Sequence, residues 1–171
     1  SARSVVNEYT QQDLANVLFK YGELRNSRSI AKEIINAREV EDIITTNQLI
    51  EVVSHMVPEK KRNQFLARIF QAIRIEVNDE MKALEEMLLS AVDMLNKGGR
   101  LVVLSYHSLE DRMVKNLMKK GNLEGDLEKD FFGNPIKDLK EITRKVIVAT
   151  EEQIAENTRA RSAKLRIAEK S

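Results

Sequence analysis

Hydrophobic residues recur three and four positions apart through the first half of the chain, a spacing that predicts amphipathic helices. Within residues 10–62 the pattern predicts helices only, and Thr10 is placed to cap the first of them. A longer helical pattern follows, from about Asn63 to Asn96. Because this length exceeds that of an ordinary globular helix, we predict a bend near Asn78.

The hydrophobic period changes after the Gly98-Gly99 turn. Residues 101–104 form a continuous apolar run that is too short for a helix, which predicts a central strand of parallel type covered on both faces. Two more strands are predicted, at residues 145–149 and, from an alternating pattern, at residues 163–167. Since three strands cannot complete a parallel α/β sheet, we expect the chain to contribute part of a larger sheet or to complete one with another chain.

The segments between the predicted strands carry weaker signals. Ser108 and Asp111 have the spacing of a capping box, which predicts a helix that reaches about Lys120. Residues 121–142 combine glycine and proline with charged residues and are predicted to be a loop with at most one helical turn. Residues 151–156 predict a short helix.

Composition narrows the class of protein. Of the 171 residues 42% are hydrophobic, enough for a core, so wholesale disorder is excluded. The absence of cysteine excludes a disulfide scaffold and a thiolate metal site, and with only two histidines we expect no metal. No apolar run approaches the roughly 18 residues of a membrane helix and no signal sequence opens the chain, so we expect a cytoplasmic protein without membrane contact. Because the first residue is Ser1 rather than Met, we expect a processed or trimmed chain.

The net charge of +1 conceals a basic tail, since residues 157–171 hold five basic residues and one acidic residue. Arg159 and Arg161 precede the predicted C-terminal strand, which favours contact with phosphates. The alternative is that the basic residues protect an exposed edge strand from aggregation. A second set of basic candidates shares one face of a predicted helix, at spacings of three and four: Arg25, Arg28 and Lys32. A charged stripe of this kind is more often only the solvated side of a helix.

Four polar residues end the strand at residues 101–104, namely Ser105, Tyr106, His107 and Ser108. Open α/β sheets bind ligands at the carboxyl ends of their strands, so these side chains are candidates for a binding crevice. His107 can accept or donate a proton near neutral pH. The plainer interpretation is that His107 and Ser108 only order the turn. A Ser–His hydrolase is a third reading, but it requires an acidic group that orients His107, and the G-x-S-x-G motif is absent.

The segment from Gly98 to Lys115, GGRLVVLSYHSLEDRMVK, resembles the hallmark segment of the MraW/RsmH family, bacterial AdoMet-dependent methyltransferases of small-subunit ribosomal RNA. Tyr106 stands where the family usually has Phe. Three further blocks are similar to family segments: residues 21–23 with Ile30-Ala31, residues 70–78 and residues 157–166. One departure is that Asn63-Gln64-Phe65-Leu66-Ala67-Arg68 replaces a His-Pro-Ala-Thr-Arg segment, so the role of that His is not transferred.

The resemblance implies an α/β fold, namely the C-terminal half of a class I (Rossmann-like) methyltransferase sheet with an all-helical inserted domain. Residues 1–62 would be the inserted, substrate-recognition domain, and residues 63–171 would belong to the methyltransferase domain. The family's AdoMet-binding half has no counterpart here, so no cofactor-binding residue is expected in this chain and the chain alone is expected to be inactive. A homodimer that covers the exposed half-sheet is a further expectation.

The implied reaction is methyl transfer from AdoMet to the exocyclic amine of a cytidine in the decoding region of small-subunit rRNA. The substrate would be that rRNA or the assembled small subunit. His107 and Ser108 would place the target base, and the other candidates would contact RNA: Ser105, Tyr106, Arg159, Arg161, Arg25, Arg28 and Lys32. The alternative is a non-enzymatic helical module that binds RNA or a protein partner.

Overall fold

The computed structural model describes residues 1–143 and 145–171, which form two compact units, Ser1–Glu80 and Met81–Ser171. The first unit is helical, and the second contains a sheet. The sequence-based boundary after residue 62 falls inside a helix, Glu59–Asn78, and four of the five buried residues of this helix belong to the core of the first unit. Each unit is described separately below.

The helical unit contains five helices: α1 (Ala2–Glu8), α2 (Gln11–Gly22), α3 (Ser27–Arg38), α4 (Thr46–Ser54) and α5 (Glu59–Asn78). The predicted cap at Thr10 is confirmed, since its side chain accepts a hydrogen bond from the backbone N–H of Asp13. Thr45 caps α4 through a reciprocal capping box with Gln48. The local signal at Thr10 therefore places the beginning of α2 correctly, whereas α1 was not predicted from the sequence.

One apolar core holds the helical unit together. Helix α2 packs against both α3 and α5, and Leu18, Ile34 and Ile69 are completely buried between them. The guanidinium of Arg38 donates hydrogen bonds to the carbonyls of Val6 and Tyr9, at 2.8 and 2.7 Å, and so satisfies backbone acceptors where α1 ends. The apolar stripes seen in the sequence are thus enclosed within this unit.

The bend predicted near Asn78 is confirmed as a break between two helices. Helix α5 ends at Asn78, and α6 runs from Glu80 to Met94. Asp79 between them has a φ of +51°, in the left-handed region that ends helices. Asp tolerates this conformation better than most residues other than Gly and Asn.

The sheet unit continues with β1 (Arg100–Ser105), α7 (Ser108–Lys120), β2 (Leu139–Glu141), β3 (Ile147–Val148), α8 (Glu151–Glu156), a 3₁₀ helix (Thr158–Ser162) and β4 (Lys164–Lys170). Strand β4 is central: β1 pairs along one side, and β2 and β3 pair with its two ends along the other. All of these pairings are antiparallel. The interpretation of the C-terminal basic residues as protection of an edge strand is therefore wrong.

The prediction that β1 is a parallel strand covered on both faces is also wrong for the described residues. Leu101 packs on a core shared with α6 and α7, whereas Val102 and Leu104, on the opposite face, are 56% and 50% exposed. Among the described residues β4 is the only strand that pairs with β1, so the other edge of β1 is free. A continuous apolar run indicates that both faces of a strand can be buried. It does not determine whether the neighbouring strand is parallel or antiparallel.

The remaining segments agree only in part with the predictions made from the sequence. Helix α8 is confirmed at residues 151–156. The strand predicted at residues 145–149 is reduced to β3, two residues long. Residues 121–142, predicted as a loop, contain β2, whose Leu139 is buried in the core of the sheet unit. Strand β2 was missed because three residues are too few to establish an alternating pattern.

Candidate functional site

His107 caps the helix that follows β1. Its Nδ1 accepts a hydrogen bond from the backbone N–H of Glu110 at 3.3 Å, and the Glu110 carboxylate accepts the backbone N–H groups of Tyr106 at 2.8 Å and His107 at 3.3 Å. This is a reciprocal capping box with an imidazole in the position of the usual hydroxyl. The predicted box of Ser108 with Asp111 is therefore wrong by one residue.

The two side chains of the capping box also contact each other. His107 Nε2 lies 3.2 Å from Glu110 Oε1, and the His107 side chain is only 11% exposed. The His107 imidazole lowers the pKa of Glu110 to about 2, helped by the backbone N–H of Tyr106 and opposed by burial. Glu110 is therefore ionised at any physiological pH and fixes the backbone at the end of β1.

This arrangement argues against a Ser–His hydrolase, although Glu110 supplies the acidic neighbour that such an enzyme requires. A catalytic histidine accepts the nucleophile's proton on one nitrogen and donates from the other to the orienting acid. In His107, Nδ1 already accepts the Glu110 N–H, and Nε2 is buried 3.2 Å from Glu110 Oε1 without a hydrogen-bond partner among the described residues. Nδ1 is occupied and no described hydroxyl group is hydrogen-bonded to Nε2, so the arrangement is not that of a Ser–His pair.

Asp111, the next residue, joins α7 to the central strand. Its carboxylate accepts two hydrogen bonds from the Arg166 guanidinium, at 2.7 and 3.2 Å, and one from Lys164 Nζ at 3.2 Å. Burial would raise the pKa of Asp111, but Arg166 and Lys164 outweigh it and lower the pKa below its usual value. The Ser105 side chain is buried beside this network and donates to the Lys164 carbonyl at 3.4 Å, so Ser105 does not face solvent.

Tyr106 is the candidate at the end of β1 that is presented to solvent, with 54% of its surface exposed. It borders a cavity of about 410 Å³ that is also lined by Leu104 and Leu165. Asn157, which lies between α8 and the 3₁₀ helix, and Ala160 of the 3₁₀ helix line the same cavity. The fold thus brings the end of β1 next to the segment that carries Arg159 and Arg161.

The five basic residues of the C-terminal tail divide into two groups. Lys164 and Arg166 share Asp111, and Lys170 pairs with Asp138 at 2.8 Å. Arg159 and Arg161 are exposed, and within the described part of the chain neither has a carboxylate at ion-pair distance. The structure therefore leaves these two guanidinium groups available for an anionic ligand.

The second basic set lies in the helical unit. Arg25 and Arg28 line a groove at the beginning of α3, and Lys32 is exposed one turn further along the same helix. These residues and the end of β1 belong to different units.

The described residues (1–143 and 145–171) contain no group of three or more His, Cys, Asp or Glu side chains placed to hold a metal ion. In the same ranges no helix combines the length and the hydropathy needed to cross a membrane.

Comparison with known proteins decides the family. The profile of the MraW methylase family matches residues 1–171. The chain belongs to the MraW methylase family. Proteins named ribosomal RNA small subunit methyltransferase H are similar to it: those of Phocaeicola vulgatus (54% identity), Flavobacterium johnsoniae (53%) and Amoebophilus asiaticus (46%). Each match covers 99–100% of this chain but only 55–56% of the relative, so the chain spans about half the length of the relatives it matches.

Membership of the MraW family implies AdoMet as methyl donor, and the residues at the end of β1 do not fit that cofactor. Carboxylates often bind the ribose hydroxyls of nucleotide cofactors. Here the Glu110 carboxylate already accepts backbone N–H groups, and the Asp111 carboxylate already accepts hydrogen bonds from Arg166 and Lys164. The Gly98-Gly99 turn precedes β1 instead of following a strand. The described residues at the end of β1 therefore do not form an AdoMet pocket.

From the sequence, Asp111 was assigned to the Ser108 capping box and Glu110 was assigned no specific partner, so both of their observed roles were missed. The Glu110 role was detectable, because Glu three residues after a polar N-terminal residue is the capping-box spacing. The Asp111 role was not, because its partners Lys164 and Arg166 lie more than fifty positions away.

Proposed function

We propose that this chain is part of an AdoMet-dependent methyltransferase that methylates the exocyclic amine of a cytidine in the decoding region of small-subunit rRNA. The main support is the match of the MraW family over the whole chain together with the names of the relatives. The substrate would be the rRNA or the assembled small subunit, which a cytoplasmic protein would meet during ribosome assembly.

The proposed roles follow the geometry at the end of β1. Tyr106 offers an exposed aromatic ring for contact with the target base, and Arg159 and Arg161 would bind the flanking phosphates. His107 and Ser108 would place the base, with His107 acting through the turn that it caps. Methylation of an amine is mainly a positioning problem, since the nitrogen lone pair must align with the methyl group.

We also propose that the sheet unit is the C-terminal half of a class I (Rossmann-like) sheet and that residues outside this chain supply the other half. The free edge of β1 and the exposed Val102 and Leu104 support this proposal, because an apolar strand with an open edge and an open face is an aggregation hazard unless it is covered. The helical unit would be the inserted, substrate-recognition domain. A second copy of the chain is the other covering element to test, by light scattering of the purified chain.

The proposal is tested with a longer protein that carries the additional length of the relatives. Purified small subunits and AdoMet with a labelled methyl group would report transfer to rRNA. We expect Tyr106→Ala and Arg161→Ala to reduce transfer at least tenfold, whereas Lys82→Ala, which removes an exposed cation from α6, leaves it unchanged. His107→Ala should also reduce transfer. Unchanged methylation in the Arg161 and His107 variants would refute the assigned roles.

The alternative, a non-enzymatic RNA- or partner-binding module, is favoured by one observation, the self-contained core of the helical unit. Calorimetry with AdoMet discriminates the two functions. We expect the longer protein to bind AdoMet and the 171-residue chain alone neither to bind it nor to methylate RNA. Absence of AdoMet binding by the longer protein would favour the module.

A further inference from the structure

Two grooves flank the turn between α2 and α3 of the helical unit. The first, of about 570 Å³, is lined among others by Gln12, Asn16, Phe19, Arg25 and Arg28. The second, of about 360 Å³, lies between the same turn and α5, and Arg25 lines both grooves. The grooves therefore adjoin each other at Arg25.

The lining of the two grooves is strongly basic. Lys61 and Arg68 on α5 line the second groove, so the pair holds four cations with Arg25 and Arg28. All four are exposed, and no described carboxylate lies at ion-pair distance from any of them. In the described part of the chain Glu23 is the only acidic residue that lines either groove. Charges of one sign grouped in concave surfaces attract an anionic partner.

Phe19 gives the first groove a second property. It is 61% exposed, whereas its neighbour Leu18 is completely buried in the core. Because the helical unit already has a closed core, burial within that core does not account for this aromatic ring. The amides of Gln12 and Asn16, which are hydrogen-bonded to each other at 2.8 Å, lie in the same groove. The groove thus combines an aromatic face, amide groups and guanidinium groups.

We propose that these two grooves bind a single-stranded RNA segment, with phosphates on Arg25, Arg28, Lys61 and Arg68 and one base stacked on Phe19. Guanidinium and ammonium groups position phosphates, and aromatic faces stack unpaired bases. An acidic peptide would satisfy the cations but would give Phe19 and the amides no comparable role. The proposed function enters only in identifying the RNA as small-subunit rRNA.

The test measures binding of a fluorescent single-stranded RNA oligonucleotide to the 171-residue chain by anisotropy at several salt concentrations. Each phosphate contact contributes a slope of about 0.7 to the salt dependence of single-strand binding. We expect the double variant Arg25→Ala/Arg28→Ala to lower that slope by about 1.4 and to weaken binding more than tenfold. Phe19→Ala should weaken binding about tenfold with an unchanged slope, because stacking releases no counterions.

Control variants and competitor molecules test whether the binding depends on these grooves and on single-stranded RNA. Phe19→Tyr should restore affinity, since it retains the aromatic face, and Lys82→Ala, which removes an exposed cation from α6, should bind like the wild type. A duplex RNA competitor should displace the probe poorly. The proposal is overturned if the Phe19→Ala and Arg25→Ala/Arg28→Ala variants bind like Lys82→Ala, or if an acidic peptide displaces the probe as well as RNA does.

The same measurements separate this proposal from the methyltransferase proposal. RNA binding that depends on Phe19 and Arg25, in a longer protein that does not methylate rRNA, would support the grooves and refute the reaction. Methylation that persists unchanged in the groove variants, together with unchanged RNA binding, would refute the grooves and leave the reaction standing.

Discussion

The helical unit and the sheet unit bury their apolar residues in different ways. Among the described residues the helical unit encloses seventeen buried apolar side chains in one core, whereas the core of the sheet unit holds eight, all on one side of β1 and β4 or in the elements packed there. Val102 and Leu104 on the other side remain exposed. An amphipathic helix has one side to bury, whereas a strand that is apolar on both faces requires a second covering layer.

The largest expected effect tests the closed core of the helical unit. Leu18→Ala should lower the free energy of unfolding of this unit by about 3 kcal/mol, because Leu18 is completely buried and its loss leaves a cavity. Phe19→Ala, one residue further and exposed, should change it by less than about 0.5 kcal/mol. Hydrogen exchange of the helical unit in increasing urea measures both. Equal effects at the two positions would contradict the core as described.

The next effect concerns the connection of α7 to β4. Asp111→Asn leaves the half-buried guanidinium of Arg166 without its carboxylate, and we expect the sheet unit to lose about 3 kcal/mol of stability. The helical unit should keep its hydrogen-exchange protection, because Asp111 and its partners all lie in the sheet unit. The double variant Asp111→Asn/Arg166→Met should recover part of the loss. A loss shared equally by both units would show that the two cores unfold together.

A smaller effect is expected at Glu110. Glu110→Gln weakens the capping box of α7 and should cost about 1 kcal/mol. Since the folded pKa of about 2 lies below the ordinary value of 4.5 for a glutamate, the carboxylate stabilises the fold fully above pH 4.5. This contribution is lost as the pH falls from about 4.5 to about 2. The stability of the sheet unit, measured by urea titration, should therefore differ less between pH 7 and pH 3 in Glu110→Gln than in the wild type. An equal difference in the two proteins would contradict the lowered pKa of Glu110.

The smallest effect is expected on the open face of the sheet. Val102→Thr preserves shape and strand propensity and should change stability by less than about 0.5 kcal/mol, because Val102 is already in contact with water. Val103→Thr, next to it on the covered face, should cost about 1–2 kcal/mol for burying a hydroxyl group. Thermal unfolding of the two variants measures both changes in stability. A cost above 1 kcal/mol at Val102 would mean that this face is covered in solution.

The sequence predicted the features that short-range physics determines. The cap at Thr10, the break next to Asn78 and the short helix at residues 151–156 depend on neighbours within a few positions. The strand at residues 101–104 was recognised by its apolar run, but its antiparallel pairing with β4 was not, because pairing joins residues more than sixty positions apart at Leu104 and Leu165. Local patterns carry no information on such partners.

The candidate site also combines features that depend on neighbouring residues with features that depend on distant ones. The sequence located the end of β1 and its polar residues, and Tyr106 and the basic 3₁₀ segment do border one cavity. It did not show that His107 turns inward as a helix cap, because an imidazole rarely takes that position. The sequence also did not distinguish the exposed arginines, Arg159 and Arg161, from the basic residues that pair with Asp111. Only the three-dimensional structure shows that those residues are Lys164 and Arg166.

The central place of β4 has a consequence for the order of events during synthesis. Within the described part of the chain, strands β1, β2 and β3 each pair with β4 and not with one another, so this ladder does not form before residues 164–170 have been translated. The buried core of the helical unit is complete in sequence by Ile73. On a ribosome that adds about 5–20 residues per second, the helical unit has several seconds to collapse first. During that interval the apolar residues of β1 have no partner strand within the described part of this chain.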